Sequence, residues 1–211
     1  MGLFDSLKLR KERKQEELHK QEKAARAQTE AARREALLQE VRLEYERERA
    51  SYKTDSGISA ADAEDYFQKA LIAYDKDYRG KEAFAYFEKA ALGGHPRAAY
   101  YLGIMYNGNY GPSGYNTVDF NGKKEAVLKW FTAAALLGHS EAAFLLGTIY
   151  HDDMQETENS DEYYALERNA LKWCSAAADI GLAPRANYNI ESYLSGGSLY
   201  ATGNDPYIKK S

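Results

Sequence analysis

An all-α fold is predicted by three observations. The first quarter of the chain holds almost no glycine and no proline, a helical phrase recurs at a period of 43–44 residues, and no stretch shows strand-like alternation. The expected order is a long N-terminal helix followed by a short right-handed α-solenoid of helix-turn-helix repeats, since one pair of this size cannot bury its apolar face alone. Residues 1–54 are expected to form a long, charged, partly amphipathic helix, residues 55–195 the solenoid, and residues 196–211 a flexible tail with Gly196, Gly197, Gly203 and Pro206.

The first element follows from composition. Leu3 to Ser56 contains neither Gly nor Pro and is dominated by Ala, Glu, Arg, Lys, Gln and Leu. Glu16 with Lys20, Glu22 with Arg26 and Glu30 with Arg34 stand in the favourable i,i+4 order, each contributing about 0.2–0.5 kcal/mol. Leu37, Leu38, Val41 and Tyr45 add an apolar stripe near its end. A seven-residue spacing links Ala24, Ala31, Leu38, Tyr45 and Tyr52, but the companion positions Ala27, Arg34, Val41 and Glu48 leave that coiled-coil seam half apolar. A homodimer through this helix is one reading; the other docks its last turns on the first repeat as a cap.

Asp55-Ser56-Gly57 ends the pattern. Ser59 followed by Asp62 reads as an N-terminal cap with an acidic residue at N3, and Ile58 stands where a hydrophobic staple would. A helix over Ala61–Tyr78 follows, with Tyr66, Phe67, Ala70, Leu71 and Tyr74 on its apolar face. Further helices are expected near 81–92, 96–107, 123–137, 140–151, 166–180 and 184–195.

The recurring phrase sets these boundaries. Ala83, Tyr86, Ala90, Ala91, Gly94, Ala98, Leu102, Gly103 and Tyr106 are matched by Val127, Trp130, Ala134, Ala135, Gly138, Ala142, Leu146, Gly147 and Tyr150. A third copy reads Ala170, Trp173, Ala177, Ala178, Gly181, Ala186 and Ile190, with Glu191 and Leu194 at its decayed end. Each aromatic precedes paired alanines that let a neighbouring helix approach, and each Gly stands where a helix should stop in a left-handed turn. Pro96 and Pro184 then suit the opening of the next helix. Gly103 and Gly147, inside helices at a cost of about 1 kcal/mol each, imply close helix contact.

This pattern resembles the Sel-one-like repeat family, a relative of tetratricopeptide repeats, over residues 81–195. Val127, Glu191 and Leu194 depart from it, and the connections Asn107–Gly122 and His151–Glu167 are enlarged. The resemblance implies an adaptor or scaffold without naming a partner.

Residues 1–53 carry 14 Lys/Arg against 11 Asp/Glu, whereas the remainder carries 14 against 21. An acidic body argues against nonspecific nucleic-acid binding. Cys174 is the lone cysteine, so no intrachain disulfide forms and a reducing compartment is expected. No apolar run approaches the ~20 residues that span a bilayer, nor is there a signal-peptide core. A cytoplasmic protein, with a peripheral membrane contact as a further reading, is the expectation.

Leu3, Phe4 and Leu7 share a helical face, and Lys8, Arg10, Lys11, Arg13 and Lys14 follow. Such a start suits an anionic membrane surface, a groove on a protein partner, or a frayed helix end. Met1-Gly2 with Ser6 also fits an N-myristoylation pattern.

Tyr100, Phe144 and Tyr188 share one repeat position off the core spacing. Ile104, Thr148 and Ser192, then Asn107, His151 and Ser195, continue that face. In a solenoid this line would form a concave wall for a peptide partner; alternatively its aromatics pack against adjacent helices. Tyr110 and Tyr115, in the Gly-rich connection, suit a contact loop. Tyr106 and Tyr150 fall on core positions.

His95 and His139, directly after the helix-ending Gly, read as turn or capping residues, and Cys174 as a structural thiol. The acidic stretch Asp152, Asp153, Glu156, Glu158, Asp161 and Glu162 lacks the order of a calcium loop and reads as a solvated loop. The Gly-rich connection lacks a phosphate loop's Lys-Ser or Lys-Thr ending. No nucleophile–base pair, metal constellation or cofactor motif is visible. The expectation is a noncatalytic adaptor whose solenoid holds one protein while its first helix reaches another partner or a membrane. The alternative is a structural subunit anchored by the long helix.

Overall fold

The computed structural model describes residues 3–54, 57–75, 80–107 and 124–194, and the elements among them are all helical. Two compact units are present, Met1–Glu40 and Val41–Ser211. Their boundary falls inside the first helix, α1 (Leu3–Ser51), and not after residue 54, because the last turns of α1 pack with the helices that follow.

Within the first unit, the side chains of residues 10–33 are exposed. Helix formation there rests on propensity and local pairing. Lys20 closes on Glu16 at 2.8 Å and Arg34 on Glu30 at 3.2 Å, and Gln39 donates to Glu35 at 3.1 Å.

The second unit continues with α2 (Ala60–Asp75), α3 (Gly80–Leu92), α4 (Pro96–Asn107), α5 (Lys124–Leu136), α6 (Ser140–Glu156), α7 (Ser160–Ala177) and α8 (Ala183–Leu194). Each packs chiefly on its neighbours in sequence, most closely within the pairs α2–α3, α4–α5 and α6–α7. The cap foreseen for α2 forms: the Asp62 amide donates to Ser59 Oγ at 3.1 Å, and that hydroxyl donates to Asp62 Oδ2 at 2.7 Å. Phe67, Ala70 and Tyr74 are buried, with Tyr66 and Leu71 half-buried beside them.

Alanine makes the packing close. Ala90, Ala134, Ala135 and Ala177 are fully covered. The mid-helix glycines mark the tightest approaches, since a Cβ at Gly103 would collide with the Phe131 ring and one at Gly147 with Cys174 Sγ. These are the helix crossings that the recurring glycine implied.

Two helices depart from expectation. α6 continues to Glu156 and α7 begins at Ser160, so the acidic stretch read as a loop is mostly helix. Asn159 causes this: its Oδ1 accepts from the Asp161 and Glu162 amides at 2.9 and 3.1 Å, and both acidic residues favour the first turn of a helix. Before α8 the chain makes a wide helical turn, Ala178–Leu182, within which Gly181 takes φ 141°.

Candidate functional site

The two sharp turns share one construction. Gly94 and Gly138 adopt φ 88° and 94°. The Gly94 amide donates to Ala91 O and the His95 amide to Ala90 O, both at 3.0 Å. The Gly138 and His139 amides make the equivalent bonds to Ala135 O and Ala134 O at 2.9 Å. These are Schellman closures, with the paired alanines supplying the carbonyls. The histidines then open the next helix: His95 Nδ1 accepts from the Ala98 amide at 3.2 Å and His139 Nδ1 from the Ala142 amide at 3.3 Å. Both are caps, as read from their register. Each ring also stacks on an aromatic, His95 on Phe67 at 4.1 Å and His139 on Tyr100 at 4.3 Å. Burial, aided by the Arg97 charge, depresses His139 to about 4, which keeps Nδ1 an acceptor at neutral pH.

The end of α1 runs past α7 and α5 and then reaches the end of α3. Val41 and Tyr45 are buried. The Tyr45 hydroxyl donates to Ala135 O at 3.1 Å and its ring stands edge-on to Trp173 at 6.0 Å. Seven residues on, just past the end of α1, the half-buried Tyr52 packs against the same core, and Thr54 lies beside Gly94. The docking surface therefore comes from α5 and α7 as well as from the first helices, a correction to the cap expected on the first repeat alone. Charge sets the register. Lys172, almost wholly buried, donates to Glu44 at 3.0 Å and to Glu48 at 2.8 Å, while Arg168 donates to Glu44 at 3.0 Å and Arg42 meets Asp179 at 3.4 Å. Burial opposes both charged forms. The mutual pairing nonetheless holds Lys172 above and Glu44 below its ordinary range.

Among the residues expected to meet a partner, Ile104, Phe144 and His151 are buried inside the chain. Their faces are spent on packing, which for Phe144 is the adjacent-helix alternative. The Arg185 guanidinium lies 4.1 Å over Phe144 and is paired with Glu141 at 3.2 Å. The His151 ring stacks on Tyr193 at 4.2 Å. Tyr100, Asn107, Thr148, Tyr188 and Ser192 are half-buried; Thr148 Oγ1 donates to Phe144 O at 3.0 Å. Tyr106 and Tyr150 are half-buried and packed on the core. Tyr110, Tyr115 and Ser195 lie outside the described residues, as do the side chains of Leu3, Phe4, Leu7 and Lys8, whereas Lys11 is exposed on α1.

Cys174 is wholly enclosed. Burial pushes its thiol up to about 12, against the opposing hydrogen bonds of Tyr193 and Asn189. A thiol held protonated in this way is a poor nucleophile. Among the described residues no three His, Cys, Asp or Glu side chains converge as a metal site, and no described helix is long and apolar enough to cross a membrane.

An open apolar groove lies elsewhere, between the chain leaving α1, the end of α3 and the outer face of α5. It encloses about 480 Å³ and is lined by Tyr52, Leu92, Leu128, Lys129 and Thr132 over the edge of Trp130. Leu92 is 49% exposed. From the sequence, Tyr52 falls on the seven-residue seam and Trp130 on a recurring core position, and none of these residues carries a binding expectation. Their signal was nonetheless present: Leu92 and Leu128 are large apolar residues off the recurring core positions. Comparison with protein-family models, with curated proteins and with solved structures returned no match.

Proposed function

We propose that this chain is a noncatalytic adaptor. Its helix pairs are read as a short right-handed solenoid of Sel-one-like, tetratricopeptide-type repeats. They hold one protein partner, while the first unit reaches a second protein or an anionic membrane surface. The observation that carries this reading is the open groove of about 480 Å³ beside α3 and α5, a size common in ligand sites, in a chain whose thiol is enclosed. The exposed helix of residues 10–33 supplies a separate surface.

A structural subunit of a larger assembly is the second reading, favoured by that same exposed helix. A homodimer through α1 has less to use. Val41 and Tyr45 are covered within the second unit, leaving mainly Ala24, Ala27, Ala31 and Leu38 of the seam.

Affinity capture from source lysate tests the choice, comparing the full chain, a chain lacking residues 1–36, and a Leu92→Glu, Thr132→Glu variant. Truncation at 36 spares Val41 and Tyr45. A partner kept by the truncated chain and lost by the groove variant is the adaptor result. Partners lost only on truncation favour the assembly subunit, and an unchanged set in both variants overturns the groove.

A further inference from the structure

We infer that the groove between α1, α3 and α5 takes a short peptide segment of another protein, with a large apolar side chain flanked by Asp or Glu. This rests on the adaptor reading and names the ligand class of its groove.

The floor argues for the apolar part. Leu92 and Leu128 present aliphatic surface, Trp130 an indole edge and Tyr52 a half-buried ring. These types dominate anchor pockets, where a buried side chain of the partner supplies most of the affinity. With about 480 Å³ available, the groove holds side chains and a short stretch of backbone and not a whole helix bundle.

The rim argues for the charge. Lys53 and Lys129 line the groove with Glu125 as its one acid, and both lysines are exposed. Among the described residues neither lysine is ion-paired, whereas Lys20, Lys69, Lys124 and Lys172 each meet a carboxylate. The Lys129 ammonium instead lies 4.8 Å from the Trp130 ring. That cation–π contact holds the charge at the pocket edge. The surrounding unit is acidic, residues 41–211 carrying 18 Lys/Arg against 24 Asp/Glu. Two unpaired ammonium groups flanking the apolar floor therefore make a local positive rim on a negative body. Such a rim attracts a carboxylate-bearing segment and disfavours basic ones. Thr54 and Thr132 add hydroxyls at the same mouth.

The test is selection of phage-displayed random heptapeptides on the full-length chain, followed by synthesis of the enriched sequences. Peptides pairing Leu, Phe or Trp with Asp or Glu are the expected outcome. Their affinity should fall at least tenfold with Lys53→Glu plus Lys129→Glu, substitutions at exposed positions that leave the core intact. It should fall further with Leu92→Glu. Helical circular dichroism and the melting midpoint report whether each variant is folded. A photo-reactive phenylalanine at position 132 should crosslink to the selected peptide. Enrichment without acidic residues, or affinity unmoved by the double charge reversal, overturns the inference. So does a crosslink to a second copy or to another segment of the same chain. Loss of lysate capture in the Leu92→Glu, Thr132→Glu variant with no acidic peptide selected would overturn the ligand class and leave the adaptor reading standing. Failure of both assays overturns both.

Discussion

Residues 10–33 and residues 41–51 belong to one unbroken helix, yet different forces hold them. The first stretch is solvated along its length and persists through propensity and i,i+4 pairs. The second buries Val41 and Tyr45 and ties Glu44 and Glu48 to Lys172. An α-helix can thus be a local property at one end and a tertiary one at the other. Damage should consequently be local in the first stretch and cooperative in the second.

The largest separation between them is expected from aromatic truncation. Tyr45→Ala should cost about 3–5 kcal/mol through its cavity and the lost bond to Ala135 O. Leu18→Ala, on an exposed side chain, should stay within about 0.5 kcal/mol. Urea unfolding followed by tryptophan fluorescence measures both, because Trp173 lies against Tyr45; equal costs would dissolve the distinction. Next in size is Lys172→Met, which strands the partly covered Glu48 carboxylate, leaves Glu44 to Arg168 alone and should cost about 1–3 kcal/mol. Adding Glu44→Gln and Glu48→Gln should restore part of the loss, and a failure to do so would mean that the ammonium matters by packing alone.

Mild acid, above the carboxylate range, should act on the second unit while sparing residues 10–33. His139 is depressed from 6.5 to about 4 in the fold, so the unfolded chain binds the extra proton between those values. Stability from this group is fully present above about pH 6.5 and is lost as pH falls towards about 4. The lowered carboxyl of Glu44 extends the loss below the usual carboxylate range. His139→Asn keeps a capping side chain without the titration, so its midpoint should be flat across the upper part of that window. A wild-type midpoint unchanged from pH 7 to 5 would contradict the buried cap. The smallest effect belongs to the solvated helix: Glu30→Gln should remove about 0.2–0.5 kcal/mol of local helix stability, seen as earlier fraying in amide exchange with the second unit's midpoint unmoved.

Much of the local construction was legible in the residues. Gly94 and Gly138 announce the left-handed turns, His95 and His139 the caps after them, Ser59 with Asp62 the start of α2, and Gly103 and Gly147 the close crossings. Each signal acts within about five residues or through a shape that only glycine allows. The extension of α6 and α7 was legible too, in Asn159 with Asp161 and Glu162, but was hidden by reading acidic composition as loop. The aromatic line was less readable. Phe144, Ile104 and His151 have a surface-like register, and only the neighbouring helices reveal them as covered.

By itself, therefore, the sequence determined the helical class, the turns, the caps and the solvated stretch of the first helix, because those depend on backbone hydrogen bonds and neighbours one turn away. Tertiary structure alone decided where α1 ends its run, which aromatics are spent on packing and which groove stays open. Those outcomes hang on contacts between residues far apart in the chain, from His151 with Tyr193 to Tyr45 with Ala135 and Glu44 with Lys172. No local pattern carries the burial that makes such contacts strong.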